Sequence, residues 1–282
     1  MRTILITGCS SGIGHHAAHF LKSKGWRVFA TCRAQDDVAR LTSEGLESFR
    51  LDYEDPASIE AGFNETLART GGTLDALFNN GAYAIPAAVE DLPVAALRQN
   101  FEANFFGWHD LTRRVIPVMR AQGTDGKGQG RIIQCSSVLG LMAMPWRGSY
   151  NSTKFALEGL TDTLRLEMRG TGIKVITVEP GPIGTAFRLN ARKQFDKWID
   201  WQASPRADQY RRSLIPRLYK AAETSTPDPF ELGPEAVSAK VLRALEAPNP
   251  RAHYYVTTPT YIAALSRRLL PQRLIDRMMA KI

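Results

Sequence analysis

Thr7-Gly8-Cys9-Ser10-Ser11-Gly12-Ile13-Gly14 is the stretch whose reading decides the fold. Ahead of it, Arg2 to Thr7 is a short run rich in β-branched residues, the pattern of a buried strand. Behind it, Ala17, Ala18, Phe20 and Leu21 recur at helical spacing. The chain therefore turns from strand to helix at the glycines. Gly8 serves the tight turn, and Gly12 and Gly14 permit close backbone approach, so that amides at the helix N-terminus face a pyrophosphate. Gly8, Ser10, Ser11, Gly12, Ile13 and Gly14 are the candidate phosphate-side residues. A Gly/Ser cluster without such flanks marks an ordinary turn.

The alternation continues outward from this unit. Strands are expected at 2–7, 26–32, 46–51, 74–79, 130–136, 173–179 and 252–257, with helix-like segments between them. That order predicts an α/β fold, a parallel sheet wound on both faces by helices. A chain of 282 residues, 44% hydrophobic, suits one such domain with an elaborated C-terminal part. We divide it into three parts, residues 1–185, 186–232 and 233–282, the last holding C-terminal helices with the last strand. Residues 123–130, rich in glycine, read as a solvent loop.

A second constellation carries chemistry. Tyr150 and Lys154 stand four residues apart in a segment with helical periodicity, so both side chains share one face. A free phenol titrates near pH 10, and bringing it to about 7 takes roughly 4 kcal/mol of preferential phenolate stabilisation. A nearby ammonium in a partly desolvated site, with a positively charged nicotinamide beside it, supplies energy of that order. Ser137 follows the strand-like run Arg131 to Cys135, which places its hydroxyl at a strand's carboxyl end, where open α/β sheets bind ligands.

With Thr7 to Gly14, Ser137, Tyr150 and Lys154 in this order, residues 1 to about 185 resemble the short-chain dehydrogenase/reductase family. The resemblance implies a Rossmann-type sheet, a dinucleotide-binding and catalytic core over 1–185, a substrate lid over 186–232, and a catalytic set of Asn104, Ser137, Tyr150 and Lys154. Asn104 lies in Asn104-Phe-Phe-Gly107 and matches the family's helix asparagine, which organises a water-linked proton path; Asn100 is a nearby competitor. Asp52 matches the adenine-contacting acid, and Asn80 lies in Asn79-Asn80-Gly81-Ala82, where the family has alanine before glycine. Pro180, Gly181, Ile183 and Thr185 match the loop that contacts the nicotinamide carboxamide. The lid length and the ending around Tyr254-Tyr-Val-Thr-Thr-Pro-Thr are similar to the hydroxysteroid and retinol dehydrogenase-like branch.

The end of the second strand bears on the cofactor. Where an NAD-selective protein tends to carry an acid, this chain has Thr31, Cys32 and Arg33. Arg33 is suited to a ribose 2′-phosphate, with Ser10 and Ser11 as hydroxyl donors, which favours NADP (NADPH). The competing reading is a solvated loop arginine, with Asp36 or Asp37 turned in to bind NAD.

Specificity is expected in the lid and between the catalytic serine and tyrosine. Leu139, Met144, Trp146 and Phe187 are the candidate substrate residues, with Val138, Leu141, Met142 and Arg147 as neighbours; their apolarity favours a bulky hydrophobic substrate. Residues 185–220 carry +6 and 261–282 carry +4 of the net +8, so the rest is −2. The tail mixes apolar residues with Arg267, Arg268, Arg273 and Arg277, as an interfacial helix does, but a helix pair docked on the body with its arginines in water is the preferred reading. No basic motif with interleaved aromatics points to nucleic acid.

Cys9, Cys32 and Cys135 read as buried apolar residues in a reducing compartment, although Cys9 in the phosphate loop offers thiol sensitivity. His15, His16 and His19 crowd one helix, but no neighbouring carboxylate or cysteine completes a metal set, so no metal is expected. The chain enters its first strand at once, and the uncharged run Ile132 to Trp146 is too short to span a bilayer, which together predict a cytoplasmic protein. The expected activity is NADP(H)-dependent interconversion of an alcohol and a carbonyl on a small hydrophobic substrate, by a homodimer or homotetramer. The alternatives are an NAD-dependent alcohol dehydrogenase and a dinucleotide-sensing or partner-binding protein on the same fold.

Overall fold

A computed structural model describes residues 1–123, 128–220 and 229–280. Seven strands, β1 (Thr3–Ile6), β2 (Arg27–Cys32), β3 (Glu47–Arg50), β4 (Ala76–Asn79), β5 (Gly130–Cys135), β6 (Ile173–Glu179) and β7 (His253–Tyr255), form one parallel sheet. Their order is β3-β2-β1-β4-β5-β6-β7. Ile4 pairs with Val28 on one side and Ala76 on the other. Each of the seven expected strands is present, most of them trimmed at the ends.

The sheet runs outward in both directions from β1 and β4, which creates a crevice beyond their carboxyl ends. The central strands are apolar on both faces: every residue of β4 is buried, as are Ile4, Leu5, Ile6, Ile132, Ile133, Ile176 and Val178. This continuous apolar run is what helix cover on both faces requires.

The helices are α1 (Gly12–Ser23), α2 (Gln35–Ser43), α3 (Pro56–Thr70), α4 (Val94–Phe101), α5 (Gly107–Ala121) and α6 (Gly148–Glu167), then α7 (Phe187–Trp198), α8 (Ala207–Gln209), α9 (Ile215–Leu218), α10 (Pro234–Glu246), α11 (Thr258–Leu269) and α12 (Gln272–Met279). A π turn, Glu102–Phe106, joins α4 to α5 in one continuous helical path. A second, Tyr210–Leu214, joins α8 to α9.

A separate apolar cluster lies under α7 to α9. Phe195, Tyr210, Leu214 and Leu218 pack there with Ile85, Leu139 and Tyr150. Tyr210 fastens this region to the body: its hydroxyl donates to Asp91 Oδ2 (2.8 Å) and accepts from the Ala88 amide (2.8 Å). Residues 221–228 of the expected lid, and 124–127 of the expected loop, lie outside the described residues.

The terminal helices α11 and α12 dock on the body through Ala263, Ala264 and Ile275, with Met142 beneath. Arg267 departs from the expectation of solvated arginines, since it donates to the carbonyls of Gly140 and Leu141 (3.3 and 2.9 Å). Ile262, Leu265 and Leu269 face outward. Among the described residues, no helix is long and apolar enough to cross a membrane.

Candidate active site

The glycine-loop residues, Arg33, Asp52, Asn80 and the Pro180 to Thr185 loop lie at or just beyond the carboxyl ends of strands, while the remaining cofactor candidates, Tyr150 and Lys154, come from α6. Gly8 and Gly12 adopt φ of +68° and +59°, a region that glycine enters without strain. The loop is also tightly packed. A Cβ on Gly14 would stand 2.4 Å from the Gly8 carbonyl oxygen, and one on Gly8 would stand 2.4 Å from Gly81 Cα. A Cβ on Gly81 would in turn stand 3.2 Å from Gly8 Cα, a tight contact that gives glycine at position 81 a physical reason.

Asn80 holds the two loops in register, donating from Nδ2 to the carbonyls of Thr7 (3.1 Å) and Gly8 (3.3 Å). Thr7 Oγ1 in turn accepts from the Asn80 amide (3.0 Å) and shares a hydrogen bond with Tyr53 (2.7 Å). From the other side, the loop after β6 closes on the glycines: a Cβ on Gly12 would stand 2.9 Å from Thr185 Cβ. Gly181 packs on Thr257, and Ile183 forms a bridge with Leu232.

These residues fit a dinucleotide. Ser11 caps α1 in an extended conformation with its hydroxyl making no cap bond, and the first turn carries no acid, so nothing negative competes for the helix N-terminus. Ser10 and Ile13 flank that point, half-buried. Arg33 is exposed just past β2. Asp37 is engaged by Arg40 (3.1 Å), whose guanidinium also donates to the Ser10 carbonyl (2.6 Å). Asp52 accepts from the Glu54 amide (3.1 Å) beyond β3.

Ser137, Tyr150 and Lys154 converge below this crevice. Ser137 follows β5, is 8% exposed, and its Oγ accepts from the Leu139 amide (3.1 Å). Tyr150 and Lys154, in the first two turns of α6, are both buried. The Lys154 ammonium donates to the Cys135 carbonyl (2.7 Å), 4.2 Å from the centre of a Trp108 ring and 5.5 Å from that of Tyr150.

Burial governs the charges here. It pulls Lys154 down to about 8, and it pushes the Tyr150 phenol above its ordinary range, with the Ser137 hydroxyl acting in the opposite direction. The expected lowering of the phenol by Lys154 is therefore not what the protein alone produces. In this form Tyr150 holds its proton.

Asn104 lies fully buried in the π turn, accepting from the Tyr83 amide (3.1 Å) and donating to the Tyr83 carbonyl (2.8 Å) and Thr153 Oγ1 (3.3 Å). Asn100 also donates to the Tyr83 carbonyl (2.9 Å) but sits in the regular helix α4. Of the substrate candidates, Phe187 meets the Tyr150 ring edge-on with centroids 5.2 Å apart, and Leu139 packs in the same cluster. Met144 and Trp146 border that cluster; Trp146 has φ of +63° and lies 4.7 Å from the Tyr210 ring. Arg147 is held down to about 10 by burial, with Arg217 and Arg188 adding repulsion.

Tyr53, Arg40, Trp108 and Tyr83 were not foreseen, because each acts on a residue twenty or more positions away. One expectation is overturned: a carboxylate does join the histidines of α1, since the turn after α2 brings Glu44 to both His15 and His19. The cysteines are free and buried, as expected, and burial pushes the Cys9 thiol up, away from reactivity.

A doubly wound sheet with a glycine-lined crevice above a buried serine, tyrosine and lysine defines a dinucleotide-dependent oxidoreductase class. The chain belongs to the short chain dehydrogenase family, whose sequence model matches residues 2–196. It is 38% identical to the "Uncharacterized oxidoreductase YbbO" of Escherichia coli (strain K12) over 99% of this chain and 94% of that one. It is 31% identical to the human 17-beta-hydroxysteroid dehydrogenase type 1, over 94% of this chain and 80% of that protein. It is 30% identical to the NADPH-dependent 3-dehydrocapnine reductase of Ornithobacterium rhinotracheale, over 100% and 97% of the two. Among solved structures, a short-chain dehydrogenase from Streptomyces avermitilis superposes with a TM-score of 0.75 at 25% identity, covering 99% of this chain and 94% of that one.

Proposed function

We propose that the protein interconverts an alcohol and a carbonyl on a hydrophobic substrate with NADP(H), using Tyr150 as acid and base. The observation that carries this reading is the buried Tyr150 phenol beside Ser137, one helical turn before a buried Lys154. When bound, the dinucleotide supplies or accepts the hydride. Gly8, Ser10, Ser11, Gly12, Ile13 and Gly14 would hold its pyrophosphate side, Asp52 and Asn80 its adenosine side, and Pro180, Gly181, Ile183 and Thr185 its carboxamide side.

In the reductive direction Ser137 holds the substrate oxygen, and Tyr150 donates its proton to that oxygen. Burial keeps the phenol protonated at neutral pH, and the Lys154 ammonium is what must offset its raised proton affinity for it to donate. Lys154, balanced near 8, stabilises the phenolate left behind and binds the nicotinamide ribose, and Asn104 supports resupply of the proton. Arg33, exposed past β2 while Asp37 is engaged by Arg40, favours a 2′-phosphate and so NADP over NAD.

The NADPH-dependent and hydroxysteroid relatives support the same cofactor and an apolar substrate. Leu139, Met144, Trp146 and Phe187 would line its site. We place the enzyme in the cytoplasm as a homodimer or homotetramer.

The test is Tyr150→Phe. The account expects turnover to fall by about 10² to 10⁴, the usual worth of a positioned general acid, with NADPH affinity measured by fluorescence titration nearly unchanged. Substantial residual turnover would remove Tyr150 from the chemistry.

A further inference from the structure

On the outer side of α1, away from the serine, tyrosine and lysine, three side chains converge on one point. His15 and His19 are one turn apart, with ring centroids 4.8 Å apart. Glu44 follows α2 in the turn toward β3, and its single oxygen Oε2 lies 2.7 Å from His15 Nε2 and 2.8 Å from His19 Nε2. The three ligand atoms lie within 4.8 Å of one another. His16 is not part of the group; its Nδ1 is hydrogen-bonded to Ser238 Oγ at 2.8 Å.

The composition and geometry match a particular kind of ion. Two imidazoles four residues apart on a helix present nitrogens on one face, and a carboxylate from a second element closes the third corner. Ligands about 2.0–2.1 Å from a tetrahedral ion stand a little over 3 Å apart, so the two oxygen–nitrogen separations, 2.7 and 2.8 Å, need to open by roughly half an ångström. Glu44 lies on an exposed turn that can give by that amount.

Its other oxygen, Oε1, accepts from Arg40 Nη1 (2.6 Å), an outer partner of the kind that orients a ligating carboxylate. The side chains of His15, His19 and Glu44 are 35%, 38% and 27% exposed, which leaves a fourth position open to water. Imidazole donors favour zinc-like transition ions over magnesium or calcium.

We infer that His15, His19 and Glu44 form a site for one divalent transition cation of the zinc type, pinning α1 to the turn after α2. The site is also wired to the glycine loop, because the same Arg40 that holds Glu44 donates to the Ser10 carbonyl. It does not depend on the proposed reaction.

The experiment is calorimetric titration of zinc chloride into the full chain, free of any histidine tag, in a non-chelating buffer. The expected result is one zinc per chain, with affinity weakened by roughly tenfold or more in both His15→Ala and His19→Ala, since loss of even an outer partner costs about that much. His253→Ala should bind as the parent does; that histidine belongs to a second compact group of metal-capable side chains among the described residues, with Glu158 and Glu179. A zinc-dependent rise in melting temperature, present in the parent and absent in His19→Ala, would agree. No saturable binding, or binding undiminished in both α1 variants, would overturn the site.

Discussion

At the scale of single residues, the proposed preference for NADP rests on a guanidinium. Arg33 is exposed just past β2, and of the two alternative acids, Asp36 and Asp37, the second is engaged by Arg40. Arg33→Ala should therefore weaken NADPH binding by at least about tenfold, as expected for loss of a charge-assisted contact worth roughly 1.5–3 kcal/mol, while NADH affinity changes little. Direct binding titrations with both dinucleotides check this; equal losses would take Arg33 out of the 2′-phosphate site. The placement of Arg33, Tyr150, Lys154 and Ser137 was legible in the sequence because it rests on short spacings and on the strand or helix beside them. Tyr53 on Thr7, Arg40 on Ser10 and Glu44 on two histidines were not, because folding alone brings those partners together.

Among the elements, the strands were legible and the irregular helices were not. Runs such as Ile132 to Cys135 have the apolar, uncharged character of buried parallel strands, which pattern reading detects. The π turn that carries Asn104 uses residues an ordinary helix accepts, and only its wider hydrogen-bond ring distinguishes it. The seam between α6, β6 and β7 was equally silent. There Glu158 and Glu179 face each other beneath Ser136, with His253 bonded to Glu179 (2.6 Å) and Asp162 near its other nitrogen (3.8 Å). Burial, then the charge of Glu179, raises Glu158 to about 7 from an ordinary 4.5.

The folded state thus keeps a proton that the unfolded chain loses between those values, so this group's contribution to stability falls as pH rises from about 4.5 to 7. His253, raised by the same Glu179, contributes a slope of the same sign, so the comparison must be between parent and variant. Glu158→Gln should melt progressively higher than the parent as pH rises from 5 to 8, by up to about 3 kcal/mol of relative stability at the alkaline end. Melting curves that run parallel across that range would contradict the assignment.

For the whole molecule, the arrangement is one of convergence. Five strand ends deliver Gly8, Arg33, Asn80, Ser137 and Pro180 to one edge of the sheet, and α4 to α6 deliver Asn104, Tyr150 and Lys154 beneath it. The segment α7 to α9 closes over the same point through Phe187 and through the Tyr210 anchor on Asp91. Its apolar inner face, continuous with Tyr150, is the reason to expect a bulky hydrophobic substrate. The measurement that tests the central claim most directly is consumption of NADPH and NADH by the purified protein against aldehydes, ketosteroids and retinal. The account predicts turnover with at least one of these classes and a clear preference for NADPH; tight NADPH binding with no turnover on any of them would contradict it and favour a dinucleotide-sensing role.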